Sequence, residues 1–240
     1  MKTSKDNLAL ALDNVSNLDA ITDLVGATRE YIGVYKIGLE QFTRFGIPVV
    51  EKIQKLGVQI FLDLKFHDIP NTVEKAVASA CELNVQYCTL HTLGGTDMLK
   101  AAVKAANAYR EKGKTPPKLI GVTVLTSVSP EALKNDLQVA MPLTDYVAHL
   151  AKNALSSGLD GIVCSAADLP AVQPFLPQNF VRITPGIRFD GGATHDQKRV
   201  ATPQQAIANG ATLLVIGRAV TEAKDPGAAA REIFSVISVQ

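Results

Sequence analysis

The chain has 240 residues, with 47% hydrophobic and 20% charged side chains, and a formal net charge of +1. That length allows one core burying roughly three quarters of the unfolded surface, or two small domains. So neutral a balance argues against a broad footprint for nucleic acid or a membrane surface, so a bound anion must be held by a few placed cations.

At the N-terminus, the apolar run before Asp13 is too short for a signal sequence. No window approaches the ~18–20 apolar residues of a membrane span. The three cysteines, Cys81, Cys88 and Cys164, have no paired short spacing. An odd, sparse count suits a reducing compartment, and a cytoplasmic protein is expected.

Taken in order, short apolar runs read as buried strands at residues 8–12, 34–39, 58–64, 85–90, 119–125, 161–164, 180–183 and 213–216. Helical patterns lie between them, such as Leu18, Ile21, Leu24 and Val25, and later Val73, Ala76, Val77 and Ala80. Asn71 and Glu74, after Pro70, mark one helix start, and Ser129-Pro130-Glu131 a second. Thr202, Pro203 and Gln205 mark another as a capping box, with Gly210 as its stop. Neither 112–117 nor 189–195 is long enough for an interdomain linker. Strand and helix alternating eight times in about 240 residues predict a single-domain α/β fold, the (β/α)₈ TIM barrel, over residues 1–240. An open doubly wound sheet competes, but no Gly-x-Gly-x-x-Gly turn follows the first strand.

A barrel places chemistry at the C-terminal ends of its strands. In the third strand, Val58, Ile60, Leu62 and Leu64 form one apolar row, which leaves Asp63 and Lys65 on the row facing the barrel mouth. In the first strand, Asp13 closes the inward row of Ala9 and Ala11. Lys36 interrupts the apolar second strand, and Asp68 follows Lys65 by three residues. Desolvating so many charges is expensive unless they pair, and alternating signs supply that pairing while keeping the lysines protonated. A protonated lysine is no Schiff-base nucleophile, but it donates protons and stabilises developing negative charge. The pattern points to carbanion chemistry; a purely structural ion-pair cluster is the plainer alternative.

Across the barrel, the seventh strand runs into Thr184-Pro185-Gly186-Ile187-Arg188 and the eighth into Gly217-Arg218. Glycine for close backbone approach and arginine for bidentate contact, where barrels bind phosphate, predict a phosphorylated ligand. Gln197 lies between them as a neutral donor. Thr126 and Ser127 either read amide groups of a base or cap the next helix. His67 and His91 have no second histidine at ligand spacing, and no His/Cys/Asp cluster makes a metal site. His149 lies in a helical pattern and reads as structural.

The run 63–72, Asp-Leu-Lys-Phe-His-Asp-Ile-Pro-Asn-Thr, closely resembles the signature of orotidine 5′-phosphate decarboxylases. The likeness extends to Asp13, Tyr35-Lys36-Ile37-Gly38, Leu125-Thr126-Ser127, Thr184-Pro185-Gly186-Ile187-Arg188, Asp196-Gln197-Lys198-Arg199 and Val215-Ile216-Gly217-Arg218. It implies decarboxylation of orotidine 5′-phosphate to UMP, the last step of de novo pyrimidine nucleotide synthesis, with no metal or organic cofactor. It also implies a homodimer with shared active sites. Lys65 would protonate C6 and Asp63 would lie against the substrate carboxylate. Lys36 and the partner's Asp68 would complete a Lys-Asp-Lys-Asp array. Asp13 and Lys36 would contact the ribose, as would Thr72 from the partner, with Ile69 beside it in the substrate-binding set. Thr126 and Ser127 would contact the base, and Arg188, Gln197, Gly217 and Arg218 the phosphate. The stretch Gly191-Gly192-Ala193-Thr194-His195 departs from the family's usual approach to this last motif.

Two rivals share parts of the pattern. A metal-assisted decarboxylase or aldolase of 3-keto-sugar 6-phosphates has the same Asp-x-Lys-x-x-Asp core but needs an acidic ligand at the end of the second strand, where Glu40 fits poorly. A non-catalytic nucleotide-binding barrel would need the phosphate anchors without the charged rim.

Overall fold

The computed structural model describes residues 4–188 and 201–238. Eight strands form its centre: β1 (Leu8–Ala11), β2 (Val34–Gly38), β3 (Gln59–Phe66), β4 (Tyr87–His91), β5 (Lys118–Val122), β6 (Gly161–Val163), β7 (Val181–Thr184) and β8 (Leu213–Ile216). Each pairs in parallel with the next, and β8 closes the ring on β1 through Leu8↔Leu214 and Leu10↔Ile216. This is the predicted barrel.

Period-two alternation divides its side chains between two cores. Leu8, Leu10, Tyr35, Ile37, Ile60, Leu62, Cys88 and Leu90 point outward and pack beneath the surrounding helices. Ala9, Ala11, Val34, Phe61, Tyr87, Ile120, Val181, Ile183, Leu213 and Val215 fill the interior. Phe61 and Tyr87 meet edge to face with ring centroids 5.9 Å apart. Full burial of each large side chain contributes about 1.5–3 kcal/mol relative to exposure.

The helices begin where local chemistry predicts. Thr202 accepts from the Gln205 amide while the Gln205 side chain accepts from the Thr202 amide, opening Pro203–Ala208. The chain turns away at Gly210, where φ is +100°. Ser129 caps Pro130–Asn135 through the Ala132 amide. After β3 the helix is Pro70–Glu82, with proline in its first turn and Ile69 at its N-cap, so it opens ahead of Asn71, which sequence suggested as the start.

Two strand boundaries move in ways that bear on the site. β3 runs on to Phe66, so Lys65, like Asp63, lies inside the strand and not past its end. β5 stops at Val122, short of the expected Leu125, and the Thr123 hydroxyl and amide both donate to the Val163 carbonyl. Cys81, Cys88 and Cys164 are buried free thiols. Among the described residues, no helix is long and apolar enough to cross a membrane.

Candidate active site

A cavity of about 600 Å³ opens at the C-terminal end of the barrel. Three adjacent strands deliver its charges. Asp13 follows β1, Lys36 sits on β2 and Asp63 and Lys65 on β3, all on the inward rows. The Lys36 ammonium lies 3.2 and 3.1 Å from the two Asp13 oxygens and 3.5 Å from Asp63 Oδ2. Lys65 Nζ donates to the same Asp63 oxygen at 2.8 Å. Asp63 therefore stands between two ammonium groups, almost wholly removed from solvent. Burial pushes its carboxyl up, but the charges of Lys36 and Lys65, with hydrogen bonds from Lys65 and Thr89, outweigh that and hold it below the usual carboxylate range.

Two uncharged residues that sequence reading gave no role support this row. Thr89, fully buried on β4, donates to Asp63 Oδ1 at 2.9 Å and accepts from the Lys65 amide at 2.9 Å. A lone hydroxyl on the inward row of an apolar strand, beside Tyr87 and His91, is the signal that could have found it. Gly38 pairs with Asp63 across β2 and β3. A Cβ there would come within 2.7 Å of Asp13 Oδ1 and 2.9 Å of Lys36 Nζ, so glycine leaves room for the ion pair.

The opposite wall is apolar: Val122, Val163, Ile183 and Val215, from β5 to β8. Beyond it lie Gly186, at φ +79°, with Arg188, Gly217 and Arg218. Arg188 holds the Ile187 carbonyl through one guanidinium nitrogen at 2.9 Å. Thr126 lines the cavity, whereas Ser127 is exposed and outside the lining. The cap of the helix after β5 is Ser129, so neither hydroxyl of that pair fills it. Gln197, with Asp196, Lys198, Arg199 and the 191–195 stretch, lies outside the described residues.

Asp68, Ile69 and Thr72 are exposed and do not line this chain's own cavity. Asp68 Oδ1 accepts from the Ile69 amide at 2.6 Å. Glu40 is also outside the lining, and its Oε2 accepts from the Asn14 amide at 3.0 Å. His67 and His91 stack obliquely, centroids 5.5 Å apart. Burial pushes His91 toward its neutral form, and His67 and Lys65 push the same way against Asp63. His149 stacks on Tyr146 within the helix Leu143–Ser156. Among the described residues, no cluster of three or more His, Cys, Asp or Glu side chains could hold a metal ion.

Comparison with known proteins agrees with this geometry. The sequence profile of the Orotidine 5'-phosphate decarboxylase / HUMPS family matches residues 6–233. The orotidine 5'-phosphate decarboxylase of Shewanella sediminis is 47% identical over 204 residues, spanning 85% of this chain and 86% of that one. The Lactobacillus acidophilus enzyme of the same name is 40% identical over 222 residues, 92% and 94% of the two chains. The crystal structure of orotidine 5'-phosphate decarboxylase from Lactobacillus acidophilus superposes with a TM-score of 0.83 at 36% identity, covering 97% of this chain and 99% of that one. The chain therefore belongs to the orotidine 5'-phosphate decarboxylase / HUMPS family.

Proposed function

We propose that this protein decarboxylates orotidine 5′-phosphate to UMP, closing de novo pyrimidine nucleotide synthesis, and does so without metal or organic cofactor. The observation that carries the reading is the buried Asp63 carboxylate held between the Lys36 and Lys65 ammonium groups at one end of a cavity with two arginines at the other. Within a family of more than one activity, the Ile69-Pro70-Asn71-Thr72 and Leu125-Thr126-Ser127 motifs and the names of the relatives favour the orotidylate reaction.

The substrate carboxylate sits against Asp63. Heterolysis of the C6–carboxyl bond releases CO₂ and leaves the electron pair at C6, where no π system takes it up. The Lys65 ammonium stabilises that pair and donates the proton that completes UMP. Repulsion between Asp63 and the substrate carboxylate raises the starting state as well. Asp13 and Lys36 bind the ribose, and Thr126 and Ser127 the base. Arg188, Gln197, Gly217 and Arg218 hold the phosphate, whose binding energy serves orientation at a distance from the reacting carbon. Lys36 fills the space between the Asp13 and Asp63 carboxylates that a cation would need, and Lys65 pairs with Asp63 as well, which supports the metal-free reading.

A homodimer completes the site in this reading. Asp68, Ile69 and Thr72 are exposed beyond the end of β3, and Ile69 there and Leu93 beyond the end of β4 each expose apolar surface. A two-fold partner covering this edge receives Asp68 and Thr72 into its own cavity. Three buried free cysteines fit a cytoplasmic enzyme. The deciding assay follows loss of the ultraviolet absorbance of orotidine 5′-phosphate and appearance of UMP. Turnover is expected; an inert nucleotide, with aldol or decarboxylase activity on a 3-keto-sugar 6-phosphate instead, overturns the proposal.

A further inference from the structure

The charged row depends on a backbone distortion. β3 and β4 pair at Leu62↔Cys88 and again at Phe66↔Leu90, so four steps along β3 face two along β4. The excess is absorbed in a bulge, and within it Lys65 adopts φ of +51°. A residue with a Cβ takes that conformation rarely and at a cost, so the surroundings must enforce it. Bulges of this kind re-aim a side chain.

Thr89 is the group placed to enforce it. Its hydroxyl has one proton, which goes to Asp63 Oδ1, and a lone pair, which takes the Lys65 amide. Neither bond can reverse, since a carboxylate only accepts and an amide N–H only donates. One fully buried hydroxyl thus grips both residues that flank Leu64. With Oδ1 committed to Thr89, Asp63 turns Oδ2 to Lys65 Nζ at 2.8 Å and Lys36 Nζ at 3.5 Å.

We propose that Thr89 is a positioning residue for the decarboxylation: its hydroxyl locks the β3 bulge that aims Lys65 and fixes the Asp63 carboxylate, without itself touching substrate. The inference rests on Lys65 being the proton donor. The ionisable neighbours of Asp63 are Lys36 from β2 (itself paired with Asp13), Lys65 on β3, and Cys88 and His91 from β4. The Thr89 hydrogen bond is one of the forces holding the Asp63 carboxyl low. Losing it raises that pKa, so Asp63 protonates sooner as the pH falls.

Thr89→Val removes the hydroxyl at nearly constant size, whereas Thr89→Ser keeps it. T89V is expected to lose about 10- to 100-fold in kcat with KM changed less than about threefold, because the lost bonds serve the reacting groups and not substrate binding. Its acid limb in kcat/KM should move to higher pH, and T89S should restore both kcat and the limb. Should T89V fail to fold, T89A takes its place against T89S. Parental kcat in T89V overturns the proposal. So does an equal fall in both variants that follows loss of thermal stability, with an unmoved acid limb. Lys65→Ala run alongside separates the two readings: parental turnover in K65A removes Lys65 as donor, whereas an inactive K65A beside a fully active T89V removes only Thr89.

Discussion

The two halves of the barrel mouth are built by opposite means. From β1 to β4 the inward positions hold Asp13, Lys36, Asp63, Lys65 and Thr89, tied by hydrogen bonds and ion pairs of 2.8 to 3.5 Å. From β5 to β8 the corresponding positions are Val122, Val163, Ile183 and Val215, followed by glycine and arginine on the loops. The first half fixes charge before substrate arrives, so little reorganisation is left for the reaction. The second half offers shape and a handle for an anion. On the proposed function, the reacting groups and the phosphate contacts fall on different strands, and each can be perturbed separately.

The largest effect is expected from the first half. Lys65→Ala removes the proposed proton donor and one of the two ammonium groups on Asp63, and should lower turnover by about ten-thousand-fold or more while UMP binding stays measurable. Turnover within tenfold of the parent, measured by stopped and continuous assay, would sink the assignment. Asp68 extends the test to the partner. Asp68→Ala and Lys65→Ala dimers should each be nearly dead, but refolded together they should recover about a quarter of parental activity, since half the dimers are mixed and each has one intact site. No recovery despite demonstrated subunit exchange means that Asp68 acts within its own chain.

The second half should respond differently. Arg218→Ala should weaken binding of the 5′-phosphate by about 2–5 kcal/mol, as for truncating one partner of a buried charge contact. Titration with orotidine should barely register the change; equal losses for nucleoside and nucleotide would assign Arg218 to the fold. Smaller still is Gly38→Ala, whose Cβ displaces only the mobile ends of Lys36 and Asp13. It should cost about tenfold in kcat, the scale of one charged hydrogen bond, with thermal stability nearly unchanged. A large fall in melting temperature would show that Gly38 serves packing. Exhaustive chelation should do nothing, and activity lost to chelator and restored by Mg²⁺ or Zn²⁺ would displace the metal-free reading.

The barrel and its charged rim were legible because both follow from simple periodicities. Alternation along residues 58–65 separates Ile60 and Leu62 from Asp63 and Lys65 whatever the surrounding fold. What escaped depends on the pairing of strands distant in sequence. Nothing in Leu64-Lys65-Phe66 announces a left-handed lysine, since the bulge arises only when β3 is laid against β4. Thr89 carries no charge and reads as one more β-branched residue in a buried strand until Asp63 is beside it. The Thr123 hydroxyl likewise finds its partner, the Val163 carbonyl, only on a distant strand, β6. Pro70 opened its helix ahead of Asn71 because proline needs no amide partner there.

The seam where the ring closes orders the events of folding. Ala9 meets Val34 early in the chain, but its other neighbour, Val215, lies near the end. Contacts between neighbours close small loops and form quickly, whereas the seam must wait for nearly the whole polypeptide. On that ground the β1–β4 half, which carries Asp13, Lys36, Asp63 and Lys65, is expected to form ahead of the seam. Gly217 and Arg218, the proposed phosphate contacts at the far side of the cavity, follow directly on β8, the strand that seals the barrel. A chain interrupted before β8 carries Asp13, Lys36, Asp63, Lys65 and Arg188 but lacks Gly217, Arg218 and the strand that seals the ring, so the cavity is complete only once β8 is in place.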